Sequence, residues 1–205
     1  MKLLTHTHWT DYELIDTGGF EKLERFGQYI LSRPEPQAVW SKALPQDKWE
    51  SMAHAMFRKE TGKDSQRENE RGEWMKKNGM PEQWWINYAY GDMKLRFRLG
   101  LTAFKHVGIF PEQAENWNYI YDTLRKMRTP QPRVLNLFAY TGGASLASRA
   151  AGADVTHVDS VRQVVNWSRQ NMEASGLTDI RWVVEDAMTY LRREVRRGKQ
   201  YPHNR

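Results

Sequence analysis

The chain has 205 residues, 40% of them hydrophobic, with 31 Lys and Arg against 25 Asp and Glu for a formal net charge of +6. That length accommodates one sizeable α/β domain or two small ones, no apolar run approaches the ~20 residues of a membrane span, and MKLLTHTHWTDYE lacks the apolar core and cleavage site of a secretory signal, so a cytoplasmic location is expected. The absence of cysteine excludes disulfides, thiolate metal sites and a cysteine nucleophile within these residues, and the modest basic excess favours an anionic partner without requiring one.

Residues 1 to about 50 carry strand-like pieces, YELID (12–16) and QYILSRPEPQAVW (28–40), separated by TGGFEKLERFG and punctuated by Pro34, Pro36 and Pro45. They predict a small β-rich element. From Arg58 to Glu82 charges of both signs alternate with almost no apolar face, which predicts a solvated loop. WWINYAY and MKLRFRLGL, joined by Gly91 and Asp92, predict a hairpin. In PEQAENWNYIYDTLRKM (111–127), Pro111 opens a helix whose first turn is acidic and whose last turn is basic, as the helix dipole favours. The expected division is an N-terminal β-rich region over 1–110, with a charged loop near 58–82, and an α/β domain over 111–205.

From Arg133 the pattern becomes regular. Strand RVLNLF leads to helix GASLASRAAG, strand DVTHVD to helix VRQVVNWSRQNMEASG, and strand IRWVVE to helix DAMTYLRREVRRGK. Apolar strands alternating with helices predict an α/β fold with a parallel sheet covered on both faces. With right-handed crossovers, this is the first half of a doubly wound, Rossmann-like sheet.

The first strand–helix turn carries the chemistry. Gly142 and Gly143 lack a Cβ, so a ligand can approach the backbone, and the following helix start offers free N–H groups to an anionic group. Asp159 ends the second strand, where an acid can accept hydrogen bonds from both ribose hydroxyls. The turn reads AYTGGAS, without the GxGxxG of dinucleotide sites. A ligand with a carboxylate and a ribose but no pyrophosphate fits that departure, which points to S-adenosyl-L-methionine. Phe138 and Tyr140 offer ring faces to a sulfonium cation. Taken singly, the Gly pair also reads as a plain turn, Tyr140 as a packing residue, and Asp159 as a helix cap.

VLNLFAYTGGAS, VTHVDSVRQVVNWSRQNMEASGL and VVEDAMTYLRR resemble the class I S-adenosylmethionine-dependent methyltransferases, in particular the group of 23S rRNA cytosine carbon-five enzymes. DTGGFEKLERFGQYILSRPEPQAVW and FKHVGIFPEQAENW resemble the same group, so the likeness spans nearly the whole chain. The resemblance implies that the turn from Asn136 through Thr141 to Gly143 holds the methionine part of the cofactor. It further implies that Asp159 binds the ribose, that Asp186 reaches the adenine amino group, and that residues around Phe110 and Gln113 close over the ligand. Asp186 also reads as a helix N-cap. Ser160 joins the implied set, whereas Asn171 reads equally as a solvent-facing helix position. The family continues into a fourth strand ending in an Asp-Pro-Pro-aromatic turn, whereas this chain reads YPHNR at that point. A truncated or frame-shifted product is therefore expected. The family's ring activation uses a cysteine nucleophile, and none is present, so no residue here is assigned as catalytic.

RNA, ribosomal by the resemblance, is the expected partner. Arg192 with Arg196 and Arg193 with Arg197 form adjacent stripes at i and i+4 that suit phosphates, though basic residues at a helix end also simply complement its dipole. Lys94, Arg96 and Arg98 alternate with aromatic residues as in single-strand binders, while the hairpin tryptophans also suit a core. Besides an RNA methyltransferase, a non-catalytic RNA-binding fragment and a nicotinamide-dependent oxidoreductase are the alternatives.

Overall fold

The computed structural model describes residues 9–59 and 71–198. They fall into two compact units. Among the described residues, an α/β unit comprises Tyr88–Arg98 and residues 109–198, and a β-rich unit comprises residues 9–59 and 71–87 together with Leu99–Gly108.

In the β-rich unit, β1 (Tyr12–Gly18), β2 (Glu21–Phe26), β3 (Tyr29–Pro34), β4 (Ala55–Lys59) and β5 (Gly72–Lys76) form one sheet in sequence order. All its pairs are antiparallel except β3 with β4. A parallel pair needs a crossover rather than a tight turn, and helix α1 (Gln46–Met52) lies in that crossover. Leu23, Trp49 and Ala53 form the centre of the core, with Ile15, Ile30, Leu44 and Met56 packed against them.

Two expectations change here. The stretch read as a separator holds strand β2. Leu23 faces the core, and on the strand's other face Glu24 is also fully buried and pairs with Arg33 at 2.5 and 3.0 Å, so a charge sits at a buried position. The stretch read as a solvated loop contains β5, anchored by buried Trp74, whose indole N–H donates to the Thr102 carbonyl at 2.9 Å. Residues 60–70 of that stretch lie outside the described residues.

β6 (Gln83–Tyr90) and β7 (Met93–Gly100) form the predicted hairpin. Within the α/β unit, Tyr88 and Phe97 from its turn end meet Trp117 with ring centroids 5.4 and 5.2 Å apart. The Tyr88 hydroxyl donates to Asn118 at 2.6 Å, and burial pushes its pKa up to about 12.

The remainder of the α/β unit follows the predicted order. A 3-10 turn (Pro111–Gln113) leads into α2 (Ala114–Lys126), then β8 (Arg133–Leu137), α3 (Gly143–Ala150), β9 (Asp154–Asp159), α4 (Arg162–Ala174), β10 (Ile180–Val184) and α5 (Ala187–Arg196). β9 lies between parallel neighbours β8 and β10, with Leu137 opposite Val158 and Val184 opposite Asp159. The expected cover on both faces holds for β9, buried from Val155 to Val158. It fails for β8 and β10, which are partly exposed and each pair with β9 alone among the described residues. No helix of the described residues is long and apolar enough to cross a membrane.

Candidate functional site

β8 ends at Leu137, and the chain reaches α3 through a turn in which alternate residues take left-handed backbone angles: Phe138 at φ 55°, Tyr140 at 50° and Gly142 at 96°. For two aromatic residues this is an uncommon and unfavourable conformation, so neighbouring groups must hold it. The Ala139 N–H donates to the Val158 carbonyl at 3.1 Å and the Tyr140 N–H to Asp159 Oδ2 at 2.9 Å. The other carboxylate oxygen of Asp159 accepts from the Val161 N–H at 2.9 Å. Asp159 thus ties the turn to the end of β9. It is not the cap of α4, whose N-cap is Val161, and each oxygen retains acceptor capacity for a further donor.

A cavity of about 330 Å³ opens at this turn, within the ~300–1,000 Å³ usual for small-molecule sites. Its lining joins the predicted residues Phe110, Gln113 and Asn136 to the run Phe138–Gly143. The Phe110 and Tyr140 rings pack together at 5.0 Å, whereas Phe138 is 75% exposed. Ser160 sits in an exposed bend after β9. Asp186 caps α5, accepting from the Thr189 N–H at 2.9 Å, and the hydrogen bonds from Thr189 hold its carboxyl below the usual carboxylate range. None of Asp159, Ser160 and Asp186 lines the cavity.

The glycines have a use beyond ligand approach. A Cβ on Gly143 would stand 2.6 Å from the Trp117 indole, and one on Gly142 would stand 2.8 Å from the Leu146 side chain and 3.3 Å from Ser168. The protein's own side chains fill the space that the missing Cβ atoms leave. Phe97 and Trp117 also line the cavity and were not anticipated. Trp117 belongs to the buried stripe of α2 with Ala114, Tyr121 and Leu124, which helical spacing marks as core but not as a cavity wall.

Beneath the turn lies a chain of buried polar groups. Asn136 Nδ2 donates to Ser145 Oγ at 2.9 Å, and Ser145 Oγ lies 3.0 Å from His157 Nδ1. Burial lowers the His157 pKa to about 4 against the opposing charge of Asp159, so the ring is neutral at pH 7. Asn171, read as equally able to face solvent, is fully buried. The proposed basic stripe on α5 is partly neutralised, because Arg193 pairs with Glu185 and Glu194, and Arg197 with Glu194. Among the described residues no group of three or more His, Cys, Asp or Glu is placed to hold a metal ion.

Residues 27–190 match the family model described as S-adenosylmethionine-dependent methyltransferase. The chain belongs to that family. The cofactor of these methyltransferases is S-adenosyl-L-methionine. A crystal structure of an S-adenosylmethionine-dependent methyltransferase from Agrobacterium tumefaciens is 40% identical, with a TM-score of 0.80 over 93% of this chain and 57% of that one. The ribosomal RNA large subunit methyltransferase K/L of Shewanella frigidimarina is 32% identical over 47% of this chain. The 23S rRNA (uracil(1939)-C(5))-methyltransferase RlmD of Shewanella sediminis is 31% identical over 55% of it. The chain spans 13% and 24%, respectively, of these two curated relatives.

Proposed function

We propose that the cavity at the β8–α3 turn binds S-adenosylmethionine, and that the protein directs its methyl group to a base of ribosomal RNA in the cytoplasm. One observation carries the cofactor reading: positions singled out along 110–143 for cofactor contact line a single cavity of suitable size. The residues also fit the ligand chemically. The start of α3 presents backbone N–H groups suited to a carboxylate. The Phe110 and Tyr140 rings provide an apolar, electron-rich wall for a sulfonium. Asp159, on the adjoining strand end, is the acceptor for ribose hydroxyls, with Ser160 beside it, and Asp186 is the acceptor for the adenine amino group.

When bound, the cofactor supplies an activated methyl group, and the residues of this chain bind and orient it. No side chain here is assigned to the acceptor base. The RNA reading is supported by the ribosomal RNA relatives and by the basic excess. A thermal-shift comparison tests the proposal, because a ligand that favours the folded state raises the melting temperature. S-adenosylhomocysteine should raise it and NAD should not. A shift with NAD alone would replace this reading with a nicotinamide enzyme, and a shift with a short RNA alone would replace it with an RNA-binding module.

A further inference from the structure

We propose that Ser168 and Asn171 of α4 are positioning residues that hold the β8–α3 turn in the shape that accepts the amino-acid end of the cofactor. The proposal rests on reading the turn as the cofactor site. Two consecutive turn carbonyls receive side-chain hydrogen bonds from one helix. Ser168 Oγ donates to the Tyr140 carbonyl at 2.6 Å, and Asn171 Nδ2 donates to the Thr141 carbonyl at 3.0 Å. Three residues apart, the two side chains project from one face of α4, and both are fully buried. A carbonyl turned inward must find a donor, and these donors set the orientation of the 140–141 and 141–142 peptides, which join the left-handed residues Tyr140 and Gly142.

Asn171 does more than satisfy one carbonyl. Its Oδ1 accepts the Arg98 N–H at 2.8 Å, and the neighbouring Phe97 lines the same cavity as the turn residues. One carboxamide therefore links the turn to the strand that carries Phe97. It has to be a carboxamide, since the site needs a donor on one side and an acceptor on the other. The nucleoside end of the ligand is assigned to Asp159 and Asp186, and its coupling to the turn runs through the Tyr140 N–H on Asp159 rather than through these two carbonyls.

The test compares Asn171→Asp and Ser168→Ala with the unaltered chain. Asn171→Asp keeps the size and the acceptor for Arg98 but sets a carboxylate against the Thr141 carbonyl. Ser148→Ala is the control, because it removes a buried hydroxyl that, among the described residues, bonds within α3, to the Ala144 carbonyl at 2.8 Å. The probes are S-adenosylhomocysteine and 5′-methylthioadenosine, which lacks the amino-acid tail. Both test variants should weaken S-adenosylhomocysteine about tenfold or more, and 5′-methylthioadenosine by a distinctly smaller factor. In the ligand-free chain, amide exchange at residues 140–143 should accelerate in both and stay unchanged in Ser148→Ala. Equal losses for the two probes, or unaltered exchange, would overturn the proposal and leave a merely structural role. If Asn171→Asp fails to fold, Ser168→Ala decides. Should the unaltered chain bind neither probe, the cofactor reading fails, and the exchange measurement still decides whether α4 holds the turn.

Discussion

The two units bury polar groups in opposite ways. In the β-rich unit the buried carboxylates are satisfied by the sheet and its crossover. Glu24 meets Arg33 across adjacent strands, and Asp16 accepts from the Leu44 and Ala43 N–H groups and from the Trp49 indole. Burial raises both carboxyl pKa values, but Arg33 and these hydrogen bonds outweigh it, so both end below their usual values. In the α/β unit the buried groups around the turn are neutral, namely Ser145, His157, Ser168 and Asn171. Ser168 and Asn171 bond to one strained segment, and Ser145 and His157 lie beneath it. The first arrangement locks strands together; the second shapes a cavity. Buried polarity is therefore informative about function only when its partners are traced.

Breaking the pair in the β-rich unit should have the largest effect. Glu24→Ala removes the carboxylate that faces the buried Arg33 guanidinium, and should destabilise that unit by about 3–5 kcal/mol in urea unfolding. Binding of S-adenosylhomocysteine, measured where both units remain folded, should be unchanged; a matching loss of affinity would show that the two regions do not divide their roles as described. Next in size, Gly142→Val forces a β-branched residue to φ 96° with its Cβ 2.8 Å from Leu146. It should cost the α/β unit roughly 2–3 kcal/mol and abolish calorimetric binding. Retained binding would reduce the Gly pair to a hinge.

Acid should distinguish the two kinds of buried group as well. The folded pKa of His157, about 4, lies below its ordinary 6.5, so the unfolded chain takes up the proton first. Its contribution is intact above pH 6.5 and is lost progressively as pH falls toward 4, by about 2 kcal/mol at pH 5. Exchange at the β9 amides across pH 7 to 5 measures it, and His157→Gln should flatten the profile. A steep profile in that variant would assign the acid sensitivity to another group. The smallest effect is expected at Asp186→Ala, which removes the α5 cap and should cost about 1 kcal/mol by thermal unfolding.

What the sequence revealed of the fold follows the same divide. From Arg133 on, apolar strands alternate with amphipathic helices, and β9 lies where its pattern puts it. In the β-rich unit, β2 and β5 stayed hidden because Glu24 is a charge at a buried position and Trp74 is a single apolar anchor among charges. The local part of the candidate site was legible, since the turn from Asn136 to Gly143 is one contiguous motif. Phe97 came from a distant hairpin, and no local pattern links it to the turn. Asn171 had a usable signal. It follows Val165 and Ser168 at intervals of three along the buried stripe of α4, a position that the polarity of its side chain disguises.

Titration calorimetry of S-adenosylhomocysteine into the unaltered chain and Asp159→Ala tests the central claim most directly. The unaltered chain should bind one equivalent, and the substitution should weaken binding by roughly 2 kcal/mol, because it removes both the ribose acceptor and the bond to the Tyr140 N–H. Equal affinity in the two proteins, or heat from NAD with none from S-adenosylhomocysteine, would contradict the assignment of this turn to the cofactor.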